Sequence, residues 1–207
     1  MAKRLYVFDF DGTLTTADTL LAFIRYASGT WMFIIGFLMH SPLLVLMKLK
    51  LYPNGHAKQR IFSWFFRGME QKRFDAVCQQ FAKDNATLLR PKAKALLEQL
   101  FTDGESVCVV SASIVNWVQP FFTEIAKESH SQFSVLGTQV ETDANGRLTG
   151  RFLTRNCYGA EKVNRLCLQY PDLKAQRDHY YIEAFGDSRG DQEMFDFADK
   201  AHYKPFR

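Results

Sequence analysis

The sequence predicts an α/β fold: a parallel sheet with helices on both faces, an inserted all-helical cap and a small β-hairpin. Three observations predict it. Short apolar runs at 5–10 (LYVFDF), 106–111 (SVCVVS) and 180–185 (YYIEAF) alternate with helical patterns, as in a sheet built by right-handed crossovers. The stretch from about Thr16 to Leu89 reads as helical throughout and is far too long for one crossover, so it reads as an insertion. Asn145-Gly146 sits between two strand-like runs, a strong hairpin signal.

Each element has a local reason. LYVFDF is apolar without alternation and ends in turn residues, as a strand buried on both faces does. Pro42 and Pro53-Asn54-Gly55 punctuate the helical stretch. Pro91 opens a helix with Ala93, Leu96, Leu97 and Leu100 at helical spacing, ending near Gly104. After SVCVVS comes a helix over 114–126, bent at Pro120. SVLGTQVE and RLTGRF are the hairpin arms. Helix 159–170, strand 180–185, helix 189–197 and an extended piece near 201–206 complete the order. The core is thus 1–15 with 89–207, and the cap is 16–88.

The chain has 207 residues, 47% apolar and 23% charged, ordinary for a globular protein, with an unusual 19 Phe. Its net charge of +4 is too small to argue for nucleic acid, and no such partner is expected. The sum conceals an asymmetry: 48–94 holds 11 Lys/Arg against 3 Asp/Glu, and the remainder is net acidic. Cys78, Cys108, Cys157 and Cys167 show no zinc spacing, which suits a reducing compartment. The first apolar run contains Asp9, unlike a signal-peptide core, so a cytoplasmic location is expected, with association at the inner membrane face left open. His40, His56, His130, His179 and His202 stand apart from the motifs below.

In open α/β sheets, ligands bind beyond the carboxyl ends of the strands. The first strand ends in Asp9-Phe10-Asp11-Gly12-Thr13-Leu14-Thr15, the second in Ser111-Ala112-Ser113, and the last main strand in Gly186-Asp187-Ser188-Arg189-Gly190-Asp191. A helix opens with Gly159-Ala160-Glu161-Lys162. Crowded carboxylates repel unless a cation neutralises them or one is protonated. Hard oxygen donors from Asp9, Asp11 and Asp187 suit Mg²⁺, and no His or Cys cluster competes for a softer metal. Lys162 would offset charge on a phosphoryl group. Ser111 and backbone N–H groups near Phe10 and Ala112 would hold its oxygens.

These four segments, in order and in their strand contexts, resemble the motifs of haloacid dehalogenase superfamily phosphatases, whose core is a Rossmann-like sheet. The resemblance spans 5–206. It implies that Asp9 attacks phosphorus to form an aspartyl phosphate. Asp11 would protonate the leaving oxygen and later activate water. Asp187 would complete a Mg²⁺ site shared with Asp9 and the Phe10 carbonyl, and Asp191 would orient Lys162 or sit by the metal. Asp11 favours phosphate-ester hydrolysis over carbon–halogen cleavage, while transfer to a second hydroxyl shares the same first step. A phosphate-binding module without turnover is the contrasting class, and the complete acid set argues against it.

A long helical cap directly after the first motif resembles the subgroup containing phosphoserine phosphatase. That likeness implies Asp18 as reader of a substrate amine and Arg60 as reader of its carboxylate. A small phosphorylated metabolite such as phosphoserine is therefore one expected substrate. The apolar segment 31–47, followed at once by Lys48 and Lys50, is similar instead to bacterial phosphatidylglycerophosphatases of the C type. That likeness implies a lipid phosphate ester met at the membrane surface through the cap. The contrasting expectation is a helical hairpin broken at His40-Ser41-Pro42 and packed inside the cap.

Overall fold

The structure is a computed structural model that describes residues 2–127 and 132–207; His130 lies outside them. β1 (Lys3–Phe8), β2 (Ser106–Ile114), β3 (Phe133–Thr138), β6 (Tyr180–Gly186) and β7 (Lys200–Tyr203) form one sheet in the order β3-β2-β1-β6-β7. Every pairing in it is parallel, with Val7 opposite both Cys108 and Ala184. The chain runs outward from β1 to β2 and β3, then crosses to the other side of β1. The carboxyl ends of β1 and β6 therefore flank the point where strand order reverses.

Period-two alternation along β1 divides the core. Tyr6 and Phe8 face one apolar cluster, and Leu5 and Val7 face the other. The second cluster is completed by Leu166 of α7 (Ala160–Gln169), Leu173 of α8 (Asp172–Ala175) and Met194 of α9 (Gln192–Phe197). The first is continuous with four helices inserted after β1: α1 (Thr19–Ser28), α2 (Thr30–Lys48), α3 (Asn54–Phe66) and α4 (Gln71–Asp84). Much of the Phe content is here. Phe23 of α1 stacks on Trp117 at 4.7 Å and meets Phe66, Phe74 and Phe81 edgewise or tilted within 5.6 Å. An antiparallel bridge between Thr15 and Leu89 marks where the chain leaves and re-enters the sheet domain, just before α5 (Pro91–Thr102).

Three elements differ from the sequence expectation. SVLGTQVE is not one hairpin arm. Its first half is β3, the edge strand of the main sheet, and only Val140–Thr142 (β4) pairs antiparallel with Leu148–Phe152 (β5). The backbone N–H of Gln139, between them, bonds the Thr154 hydroxyl at 3.0 Å and leaves both ladders. The helix after β2 is short: α6 (Val115–Val118) tightens to a single 3₁₀ turn at Gln119–Phe122, where Pro120 falls.

The third concerns 31–47, which is one continuous helix and not a broken hairpin. Pro42 has no N–H for the Leu38 carbonyl, and the Ser41 hydroxyl donates to that carbonyl instead, at 2.8 Å. His40 Nδ1 lies 2.8 Å from the Gly36 carbonyl. Of the polar residues at the expected break, Ser41 re-satisfies the one carbonyl that Pro42 leaves without a donor.

Candidate active site

The site is built from four chain segments at the carboxyl edge of the sheet. After β1 the backbone makes one wide turn over Phe10–Leu14, with Gly12 at φ +76°. A Cβ at Gly12 would meet an Asp187 carboxylate oxygen at 2.6 Å, so this residue must be Gly on both conformational and steric grounds. The Phe10 ring anchors the turn against Phe121 and Phe122.

Asp9 is buried, and its Oδ1 lies 2.6 Å from Lys162 Nζ. Lys162 comes from the first turn of α7, is itself buried, and also meets Asp191 Oδ1 at 2.6 Å. Burial pushes Asp9 up to about 7, against the pull of the Lys162 ammonium, with the Asp191 charge adding to the rise. Burial alone would lower Lys162. The carboxylates of Asp9 and Asp191 outweigh it and hold the ammonium above the ordinary lysine range.

Carboxylate oxygens of Asp9, Asp187 and Asp191 lie within 4.8 Å of one another. Asp191 is already engaged. Beyond Lys162, its Oδ2 accepts from the backbone N–H groups of Asp187 and Ser188 and from the Ser188 hydroxyl, at 2.9 to 3.1 Å. Asp187, by contrast, faces the guanidinium of Arg207, which also donates to the Gly12 carbonyl at 3.3 Å. Asp187 is raised by burial, with Arg207 opposing. Asp9 thus faces the Lys162 ammonium and Asp187 the Arg207 guanidinium. Two hard oxygen donors already facing a cation fit Mg²⁺.

Asp11 belongs to a different network. Its Oδ1 accepts from the Thr19 hydroxyl (2.5 Å) and backbone N–H (2.7 Å), and its Oδ2 accepts from the Ser113 hydroxyl (2.6 Å). Its side chain stands outside the acidic group of Asp9, Asp187 and Asp191, unlike the metal-ligand set expected from the sequence. The Phe10 carbonyl is also taken, by the Thr15 N–H and hydroxyl at 3.0 and 3.2 Å. The β2–β3 register is irregular between Val110 and Ile114, so Ser111, Ala112 and Ser113 leave the regular ladder at the strand tip. Ser111 Oγ is buried, accepts from the Ser113 N–H at 3.0 Å and lies 3.4 Å from Asp11 Oδ2.

Of the two expected substrate readers, Asp18 lies within electrostatic reach of Asp11 and Lys58. Asp18 is the N-cap of α1, its Oδ1 accepting from the Leu20 and Leu21 N–H groups at 2.9 and 3.4 Å. Arg60 is exposed on α3. Lys58, two residues earlier and so about 200° around that helix, lines a narrow slot beside Ser113. Leu20, Ile114, Trp117 and Phe152 supply its apolar walls. Trp117 is fully buried, and its indole N–H has no hydrogen-bond partner among the described residues.

Sequence reasoning missed Lys58, Arg207 and the hydroxyls that hold the acids. Thr13 Oγ1 donates to Asp9 Oδ2 at 3.1 Å and reaches Asp187 Oδ1 at 3.5 Å. The Thr13 and Ser113 signals were in plain view inside the motifs. Thr19, Lys58 and Arg207 carry no local pattern.

The haloacid dehalogenase-like hydrolase family matches residues 6–196. Protein CicA of Caulobacter vibrioides is 32% identical over 206 residues, which cover 98% of this chain and 86% of that protein. A crystal structure of a protein of unknown function from Bordetella pertussis Tohama I superposes with a TM-score of 0.80 at 17% identity, over 97% of this chain and 89% of that one. A phosphoserine phosphatase carrying a phospho-aspartyl intermediate analogue gives 0.60 at 16% identity, over 97% and 86%. At such identities the two structural likenesses speak for the fold.

Proposed function

We propose that this chain, which belongs to the haloacid dehalogenase-like hydrolase family, is a Mg²⁺-dependent phosphomonoesterase working through an aspartyl phosphate. The observation that carries the reading is the buried Asp9–Lys162–Asp191 chain beside a separately held second acid, Asp11. Their separate environments support one carboxylate as nucleophile and the other as proton carrier.

Asp9 attacks phosphorus, and the bond from phosphorus to the leaving oxygen breaks as Asp11 delivers its proton to that oxygen. Asp11, now ionised, takes a proton from water. The water oxygen attacks phosphorus and Asp9 is released. Lys162, Ser111 and the Ala112 backbone hold the phosphoryl oxygens. Asp9 and Asp187 would hold Mg²⁺, which supplies charge neutralisation for the transferring phosphoryl group. Thr13 steadies both carboxylates. We assign the core to 1–15 with 89–207 and a substrate-covering cap to 16–88; the Thr15–Leu89 bridge supports hinges at those points.

Lys58 beside Ser113 bears on the substrate class, the gap between them being about 10 Å³, the room of a single water. A cationic cap residue at this point, Lys58, favours a leaving group bearing a second anionic group. A small phosphorylated metabolite with a carboxylate, phosphoserine included, meets that requirement, although the Asp18 cap weakens the case for an amine reader. A lipid phosphate ester is the second reading, favoured by the exposed apolar face of α2.

A panel of phosphate esters that includes phosphoserine and phosphatidylglycerol phosphate, assayed with Mg²⁺ and with chelator, tests this. Mg²⁺-dependent release of phosphate and loss of all turnover in Asp9→Asn are expected. Turnover that survives chelator, or an active Asp9→Asn enzyme, would sink the mechanism.

A further inference from the structure

Helix α2 has two apolar faces, and among the described residues only one has a partner within the fold. Phe33, Gly36, Phe37 and Leu44 recur at helical spacing on the inner face. The Gly36 backbone is so close to α3 that a Cβ there would meet the Phe65 and Trp64 rings at 2.4 and 2.6 Å. Trp31, Ile35, Leu38, Val45 and Leu49 recur at the same spacing on the outer face and are exposed, Trp31 by 81% and Leu38 by 68%. A helix covering a core ordinarily turns polar residues outward. Here no Asp, Glu, Lys or Arg occurs between Arg25 and Lys48.

The composition selects the occupant. Protein interfaces favour Tyr, Trp and Arg inside a polar rim. This stripe is aliphatic, about 28 Å long, with Trp31 at one end and Lys48 and Lys50 at the other. Aromatic and basic ends on an apolar helix suit a lipid interface, and the two ammonium groups suit anionic headgroups. Lys50 adds a second observation. The helix closes with Leu51 N–H to the Leu46 carbonyl (2.9 Å) and Lys50 N–H to the Met47 carbonyl (3.0 Å), which puts Lys50 at φ +60°. Glycine is the unstrained choice at that position. A basic residue stands there against the local conformational preference.

Length and a mean hydropathy of 1.8 would also allow α2 to cross a bilayer. The inner face argues otherwise, because crossing would strip Gly36, Phe33 and Phe37 from their packing. We propose that α2 is an in-plane anchor, its outer stripe inserted at the surface of an anionic bilayer while its inner face stays on α3. This does not depend on which phosphate ester is hydrolysed, or on turnover at all.

The test uses the full chain with vesicles of phosphatidylglycerol and phosphatidylethanolamine, and with phosphatidylcholine alone. Co-sedimentation with the anionic vesicles, weakened by salt, is expected, with a blue shift in tryptophan emission that Trp31→Phe removes. Leu38→Glu should weaken binding at least tenfold with an unchanged melting temperature. Lys50→Gly should weaken binding to anionic vesicles while raising the melting temperature, a pairing that a purely structural Lys50 would not give. Carbonate should extract the bound protein. Absence of binding to anionic vesicles would overturn the proposal. So would resistance to carbonate, or a solution dimer that Leu38→Glu splits in the absence of any vesicle binding.

Discussion

Asp191 holds Lys162 from below: its Oδ1 lies 2.6 Å from the ammonium while its Oδ2 collects three donors from Asp187 and Ser188. It belongs to the acidic group by distance, yet its lone pairs are turned to Lys162 and to the loop. Asp191→Asn is therefore expected to lower kcat by about 10- to 100-fold, through a misplaced Lys162, with the Mg²⁺ concentration for half-activation unchanged. Asp187→Asn should raise that concentration. Equal shifts in the Mg²⁺ requirement for both variants would make Asp191 a ligand.

The raised Asp9 gives a stability signature in metal-free protein. Its carboxyl sits at about 7 when folded against an ordinary 3.8, so between those values the folded chain binds the extra proton. Stability from this group is full below the lower value and is lost as pH rises to about 7. Asp9→Asn abolishes that loss. In melts with chelator, the variant should gain on wild type by several degrees between pH 4.5 and pH 8, whatever constant offset the change in Lys162 pairing adds. A pH-independent difference would refute the assignment.

What was legible in the sequence was local. Asp9, Ser111 and Asp187 end apolar runs, and Gly12 and the clustered acids are turn chemistry, so strand-end placement followed from period and punctuation alone. What was not legible depended on rotation or on rescue. Arg60 and Lys58 differ by about 200° around α3, and nothing local says which of them meets the site. Pro42 reads as a break until the Ser41 hydroxyl is seen on the Leu38 carbonyl. Asp18 reads from the sequence first as a helix N-terminal acid and only by resemblance as a ligand, and its bond from the Leu20 N–H makes it the cap. Arg207 reaches Asp187 across 20 residues, with no pattern to announce it.

Asp11 is held by Thr19 and Ser113, outside the acidic group around Asp9, so its loss should separate the two chemical steps. With an alkyl phosphate, whose leaving oxygen needs a proton, Asp11→Asn should lose about 10²- to 10⁴-fold in kcat. With p-nitrophenyl phosphate the first step needs no acid, while water activation still does. A rapid burst approaching one nitrophenolate per chain is expected, followed by slow turnover. Equal losses on both substrates with no burst would deny Asp11 its acid role.

Lys58 and Arg60 provide the sharpest test of which side of α3 meets the substrate, because they share a helix and a charge but not a direction. Lys58 lines the slot with Leu20, Ile114, Trp117 and Phe152, while Arg60 is in solvent. Losing a charge-assisted bond there is worth about 1.5–3 kcal/mol, or roughly 10- to 100-fold in affinity. Lys58→Ala should raise KM by that factor for an ester whose leaving group carries a carboxylate or a second phosphate, and leave KM for a neutral alkyl phosphate within about twofold. Arg60→Ala should leave both unchanged. Steady-state kinetics on a matched pair of such esters reads the difference. If Arg60→Ala raises KM for the charged ester and Lys58→Ala does not, the leaving group does not meet Lys58.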